Sequence, residues 1–183
     1  AVSLNYGLSH PPRLLPVAPS QLPSPVLYVV TNPDTASLSD TVDVEIYLGT
    51  NTQAVDSIYG IAFTINFDST LISSSFLSVD YTGCWMGDTQ VDLIGFHKNL
   101  LTQGQVDMAL VRTDQQNITG FGLLSRLGIV IVDNVGAKVT MPVSLSDIKA
   151  IAASEYLLTI ATESDSVVID TAGTVGMLDP SDY

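Results

Sequence analysis

The run Tyr59-Gly-Ile-Ala-Phe-Thr-Ile-Asn-Phe-Asp68 constrains this chain more than any other stretch, because its side chains keep a strict period of two. Tyr59, Ile61, Phe63, Ile65 and Phe67 fall on one face of an extended strand, and Gly60, Ala62, Thr64 and Asn66 fall on the other. A strand with one wholly apolar face needs a second layer to cover it. Asp68 and Ser69 are turn formers, and Leu71 and Ile72 then return to the interior, so Asn66 to Ile72 is a corner between strands.

Similar patterns recur along the chain. Leu27–Thr31, Thr41–Leu48, Val91–His97, Gln105–Arg112, Leu123–Val132, Lys138–Leu145, Leu157–Thr162 and Ser166–Asp170 read as strands separated by turn residues such as Asn32-Pro33-Asp34. About nine strands and no sustained 3.6-residue stripe predict an all-β fold of two packed sheets. Short helical turns are expected only within Leu93–Leu101 and Ser146–Ser154. The predicted core comprises Ile61, Phe63, Ile65, Phe67, Val106, Met108, Leu110, Leu127, Ile129 and Ile131.

The segment YGIAFTINFDSTLI resembles the cohesin pattern of a strand that ends in Asn-Phe-Asp and runs into an apolar corner. Four further stretches resemble cohesin strands in the same order: TVDVEIYL (Thr41–Leu48), GQVDMALVR (Gly104–Arg112), the G-x-G-x-L segment Gly120–Val132, and VSLSDIKA (Val143–Ala150). The resemblance covers roughly Leu27 to Asp170 and implies a two-sheet jelly-roll β-sandwich of the cohesin and carbohydrate-binding-module superfamily, of bacterial secreted type. It implies binding or assembly, not catalysis.

The length of 183 residues suits one domain. Six Lys plus Arg against nineteen Asp plus Glu give a net charge of −13, which argues against nucleic acid as a partner because phosphate contacts need clustered cations. No apolar run reaches the ~18 residues of a membrane span, so no membrane insertion is expected. Cys84 is the single cysteine and permits no intrachain disulfide. The chain opens on Ala1, as a product of signal-peptide removal would, and the expected location is extracellular or at the cell surface.

Ala1 to Val26 stands apart. It holds six of the nine prolines, a composition that favours extended polyproline-like chain. It also carries Leu4, Tyr6, Leu8, Leu14, Leu15, Val17, Leu22 and Val26, too apolar for an ordinary linker. The expected organisation is a proline-rich N-terminal segment (1–26), a sandwich (27–170) and a C-terminal tail (171–183). Residues 1–26 are expected to dock either on their own sandwich or, in the favoured case, on a neighbouring copy by adding to a sheet edge, which would join subunits head to tail.

Groups suited to catalysis are sparse. His10 lies in the proline-rich segment, and His97 is expected at the surface. Cys84, in Thr-Gly-Cys-Trp-Met-Gly, reads as a buried structural thiol with no cation near in sequence to activate it. Glu45 reads as part of a solvated strand face, and Arg112 with Asp114 as a surface ion pair. Asp34, Asp40 and Asp43, and Asp165 with Asp170, lack the spacing of an EF-hand loop, so no cofactor is expected, with calcium left open. Asn117-Ile118-Thr119 is a formal glycosylation sequon in a turn.

The expected function is a non-catalytic extracellular structural protein, a subunit of a filament of like copies. The alternative is a cohesin-type module that binds a dockerin-like or other secreted protein, or a carbohydrate-binding module. Carbohydrate fits less well, because Tyr59, Phe63 and Phe67 are committed to the core face and leave no strip of exposed aromatics.

Overall fold

A computed structural model describes residues 24–132 and 135–171. The strands in chain order are β1 (Val26–Asn32), β2 (Thr35–Ala36), β3 (Thr41–Leu48), β4 (Val55–Ile58), β5 (Gly60–Asn66), β6 (Ile72–Asp80), β7 (Leu93–Leu100), β8 (Gln105–Arg112), β9 (Ile118–Gly120), β10 (Gly122–Ile131), β11 (Val139–Ile151), β12 (Leu157–Leu158), β13 (Ala161–Glu163) and β14 (Asp165–Ile169). One sheet has the order β13-β1-β3-β10-β6 and the other β2-β14-β11-β5-β8-β7, with β12 added beside β11 and a small β4-β9 pair at one end. Among the described residues no helix is long and apolar enough to cross a membrane.

The two sheets close over one core because each strand turns one phase of its alternation inward. Val42, Val44, Ile46 and Leu48 of β3 face Met141, Val143, Val167 and Ile169 and the inward residues of β5 and β8, all buried. Every residue of the predicted core is buried. Tyr59 is the exception to the predicted face: it precedes β5 and is half-buried, its amide donating to Ile151 O at 2.8 Å and its carbonyl accepting from Arg112 N at 3.1 Å.

Glycines decide where the motifs meet. Gly104 ends the 3-10 turn Leu101–Gln103 at φ 71°, and a Cβ there would stand 2.2 Å from Phe67 O. Only glycine lets the Asn-Phe-Asp corner lie against the start of β8, where Phe67 N donates to Gly104 O at 2.9 Å. Gly122, at φ 143°, lies under Trp85, and a Cβ on Gly120 would come within 3.1 Å of the same indole. The G-x-G run is thus the seat of the tryptophan beside Cys84.

Three expectations need correction. β6 went unpredicted because Ile-Ser-Ser-Ser-Phe-Leu-Ser-Val-Asp has weak alternation, yet it completes the sheet by pairing with β10. Leu93–Leu100 is wholly strand, and only Leu101–Gln103 turns. Ser146–Ile151 also stays in β11, where a register shift between Ser146 and Lys149, with Asp147 at φ 54°, produced the helix-like spacing.

One polar latch ties the sheets together. Asp165 at the start of β14 accepts hydrogen bonds from the Thr31 amide at 2.8 Å and the Thr31 hydroxyl at 2.9 Å across the sandwich, and Thr31 is buried. Burial pushes the Asp165 carboxyl up, but the Thr31 and Ser166 amides and the Thr31 hydroxyl outweigh it and hold it below its ordinary value.

Phe63→Ala is expected to cost about 3 to 5 kcal/mol in urea unfolding. Asp165→Ala is expected to cost about 1 to 3 kcal/mol at pH 7, because it strands the Thr31 amide, while the Thr31 hydroxyl can still donate to Ser166 O at 3.1 Å. Since the folded carboxyl titrates below 3.8, its contribution is complete above that pH and disappears as pH falls through the folded value. Urea midpoints of wild type and Asp165→Ala should therefore differ at neutrality and converge in acid.

Candidate binding face

The outer face of the β11-β5-β8-β7 sheet is the one extended surface where the described residues expose apolar side chains in register. Three rows cross it. The first is Ile94, Val111, Gly60 and Ile151, with Leu157 beside Ile151. The second is Phe96, Ala109, Ala62 and Lys149, and the third Lys98, Asp107, Thr64 and Ser146. Glycine and alanine in the middle with large residues at both ends make a shallow trough. Two overlapping hollows of about 330 and 430 Å³ meet at Ala62, Ala109 and Lys149.

The walls are bare: Ile94 is 54%, Phe96 61% and Leu157 77% exposed. Exposed apolar residues gathered on one face mark an interaction surface more often than residues scattered singly. The charges fit the same picture. Among the described residues Arg112, Arg126 and Lys138 are ion-paired, whereas Lys98 and Lys149 are not, and both stand at the trough beside Asp107 and Asp147. The trough therefore has an apolar floor and a polar rim.

The opposite sheet offers no such face. Tyr28 and Tyr47 stack on one another with centroids 5.3 Å apart and planes 13° apart, so each ring covers its neighbour. The Tyr47 hydroxyl donates to Glu45 at 2.7 Å, and Glu45 pairs with Arg126 at 2.8 Å. The Tyr47 hydrogen bond, then Arg126, lower the Glu45 pKa. The expected solvated Glu45 is thus the centre of a surface network.

The sequence-predicted residues are dispersed. Leu4, Tyr6, Leu8, Leu14, Leu15, Val17 and Leu22, with His10, lie outside the described residues. Val26 does not belong with them: it is 8% exposed and opens β1 opposite Ala161, because strand pairing has already claimed it. Asn117 is exposed, and its Oδ1 accepts the Ala153 amide at 2.6 Å, while Thr119 Oγ1 donates to Asp56 at 2.9 Å.

Cys84 is buried, and burial pushes its thiol pKa up. His97 is exposed, with its ring 6.5 Å from Tyr81, whose phenol burial pushes up to about 12. The pair Arg112–Asp114 is more than a surface contact. The Arg112 side chain is 10% exposed and also reaches Asp92 Oδ2 at 3.0 Å and Met86 O, which fastens the Cys84 loop to β8. The Asp114 hydrogen bond raises the Arg112 pKa and lowers that of Asp114. No group of three or more His, Cys, Asp or Glu is gathered for a metal ion among the described residues.

Sequence reasoning missed Ile94, Phe96, Ala109, Lys149 and Leu157. The available signal was the outward phase of β8, where Asp107, Ala109 and Val111 alternate with the core residues. Because Leu93 is buried and Phe96 exposed on the same strand, Leu93→Ala is expected to cost about 2 to 5 kcal/mol. Phe96→Ser should stay within about 0.5 kcal/mol of wild type in thermal or urea unfolding.

No protein-family model matches the sequence, and no curated protein matches it. Solved structures do match. A type I cohesin–dockerin complex from Clostridium thermocellum aligns at TM-score 0.65 and 15% identity, over 81% of this chain and 94% of that one. A non-cellulosomal cohesin from the hyperthermophilic archaeon Archaeoglobus fulgidus aligns at 0.61 and 12%, over 82% and 94%. The cohesin module of a family 33 glycoside hydrolase from Clostridium perfringens aligns at 0.61 and 10%, over 81% and 98%. The fold is the cohesin-like jelly roll.

Proposed function

We propose that this chain is a non-catalytic protein-binding module of a secreted or cell-surface protein, which holds its partner against the trough on the β11-β5-β8-β7 sheet. The observation that carries this reading is the exposed apolar trough itself, with Ala62 and Ala109 at its floor and Ile94, Phe96 and Leu157 at its walls. Leaving such a face in water is unfavourable, and covering it with a complementary surface recovers roughly 25 cal/mol per Å² of apolar area. An amphipathic helix fits the shape: its apolar ridge would lie on the small residues and its polar flanks would meet Lys98, Lys149, Asp107 and Asp147.

Comparison supports the binding reading above the filament reading, since the matching structures include complexes of cohesins with dockerins. The non-cellulosomal archaeal cohesin is a reason to keep the partner's class broader than cellulosomal dockerins. Carbohydrate has less support, because Tyr28 and Tyr47 spend their ring faces on each other.

Titration calorimetry against dockerin modules encoded in the same genome tests the proposal. Binding is expected, with Ala109→Arg weakening it at least tenfold by filling the trough and Tyr28→Arg on the opposite sheet leaving it unchanged. Equal loss in both variants, or no effect of Ala109→Arg, would remove the trough as the binding face.

A further inference from the structure

Residues 2–9 have the pattern of a strand that lacks a sheet. Val2, Leu4, Tyr6 and Leu8 alternate with Ser3, Asn5, Gly7 and Ser9, one apolar and one polar phase over eight residues. Prolines follow at 11, 12, 16, 19 and 23, which cannot donate to a ladder and instead favour a stiff extended spacer. The N-terminal segment thus divides into a strand-like part and a spacer.

Its charge is opposite to that of the fold. Residues 1–23 carry Arg13 and none of the nineteen acids, all of which lie in the remainder of the chain. The segment is drawn to the acidic body by charge and, through Leu4, Tyr6 and Leu8, by apolar surface.

The fold supplies an open edge of matching length. β7 has eight residues and pairs only with β8 among the described strands. Ile94 and Phe96, two residues apart on one face of this edge, have no neighbour on the far side. An added strand would set apolar side chains beside them. Of the other edge strands, β2 and β13 have only two and three residues, and β6 interleaves its apolar residues with four serines.

Position decides between the chain's own edge and another's. The chain enters the fold where Ala161 N donates to Pro25 O, beside β13. β1 packs against β14 on that side, whereas β6 packs near the Leu101–Gln103 turn that follows β7. The exit point and the two long edges, β7 and β6, are therefore on opposite sides of the sandwich. From β14 to β7 is roughly 19 Å at about 4.8 Å per strand. In the extended form that its prolines favour, a stretch of the length of residues 10–24 would span about 45 Å at about 3.1 Å per residue, long enough to present residues 2–9 to a second copy beyond this sheet.

We propose that residues 2–9 of one copy add as a strand to the β7 edge of a second copy. Donor and acceptor are different surfaces on opposite sides, so the contact is heterologous and repeats from copy to copy in a head-to-tail chain. This does not depend on the identity of any partner at the trough.

Sedimentation velocity across a concentration series tests it. The intact chain should form a ladder of oligomers, and a chain lacking residues 1–10 should remain a folded monomer by circular dichroism. Leu4→Asp with Tyr6→Asp should abolish assembly, and Ser3→Asp with Asn5→Asp should preserve it, since only one phase faces the Ile94–Phe96 ridge. Mixing Tyr6→Cys chains with Phe96→Cys chains should yield a disulfide-linked dimer, and mixing them with Phe76→Cys chains on β6 should not. A monomeric intact chain, equal assembly of the truncated chain, equal sensitivity of both phases, or cross-linking confined within one chain carrying Tyr6→Cys and Phe96→Cys would overturn the proposal. Absence of calorimetric binding by the unsubstituted chain, with the oligomer ladder intact, would overturn the trough and leave the strand addition standing.

Discussion

Everything in this structure depends on the burial of one alternating phase of side chains between two sheets. Val42 to Leu48, Ile61 to Ile65, Val106 to Leu110 and Leu127 to Ile131 each spend every second residue on the core, and burying a side chain of this size contributes about 1.5 to 3 kcal/mol. A shift of one residue in any of these strands would turn its apolar set to water. That constraint fixes register, and register in turn decides what the outer faces carry.

The loops are subordinate to this packing but not passive. Gly104 allows the Phe67 corner to close on β8, and Gly120 and Gly122 make room for Trp85. Arg112 then fastens the Trp85 loop through Asp92, Asp114 and Met86 O. The result is a rigid frame beside the start of β7, the strand that contributes Ile94 and Phe96 to both the trough and the open edge. The Asp165–Thr31 latch performs the same service at the opposite side, where β14 of one sheet meets β1 of the other.

The two surfaces proposed as interaction sites are consequences of incomplete covering. Nothing among the described residues lies over the β11-β5-β8-β7 sheet or beyond β7, so residues that a third layer would bury are left in water. The proposed partner and the proposed added strand would answer different deficits. The trough lacks apolar contact, and the edge lacks main-chain hydrogen bonds as well.

The strand phases were legible in the sequence because they repeat locally: Gln105–Arg112 coincides with β8, and the ten predicted core residues are all buried. The cohesin-like order of segments was legible for the same reason, since each segment carries its own pattern. Serine-rich β6 was hidden because its place comes from pairing with β10 and not from its own alternation. The bulge at Asp147 was hidden because an inserted residue breaks the period of two and mimics a helical turn. Val26 looked like part of a sticky tail until its pairing with Ala161 put it inside the fold. Local periodicity thus determined which residues turn inward. Only tertiary structure decided that Ile94, Phe96, Ala109 and Leu157 share one uncovered face, because their neighbourhood is made by hydrogen-bonded register among four strands and β12, brought together from positions 60 to 157.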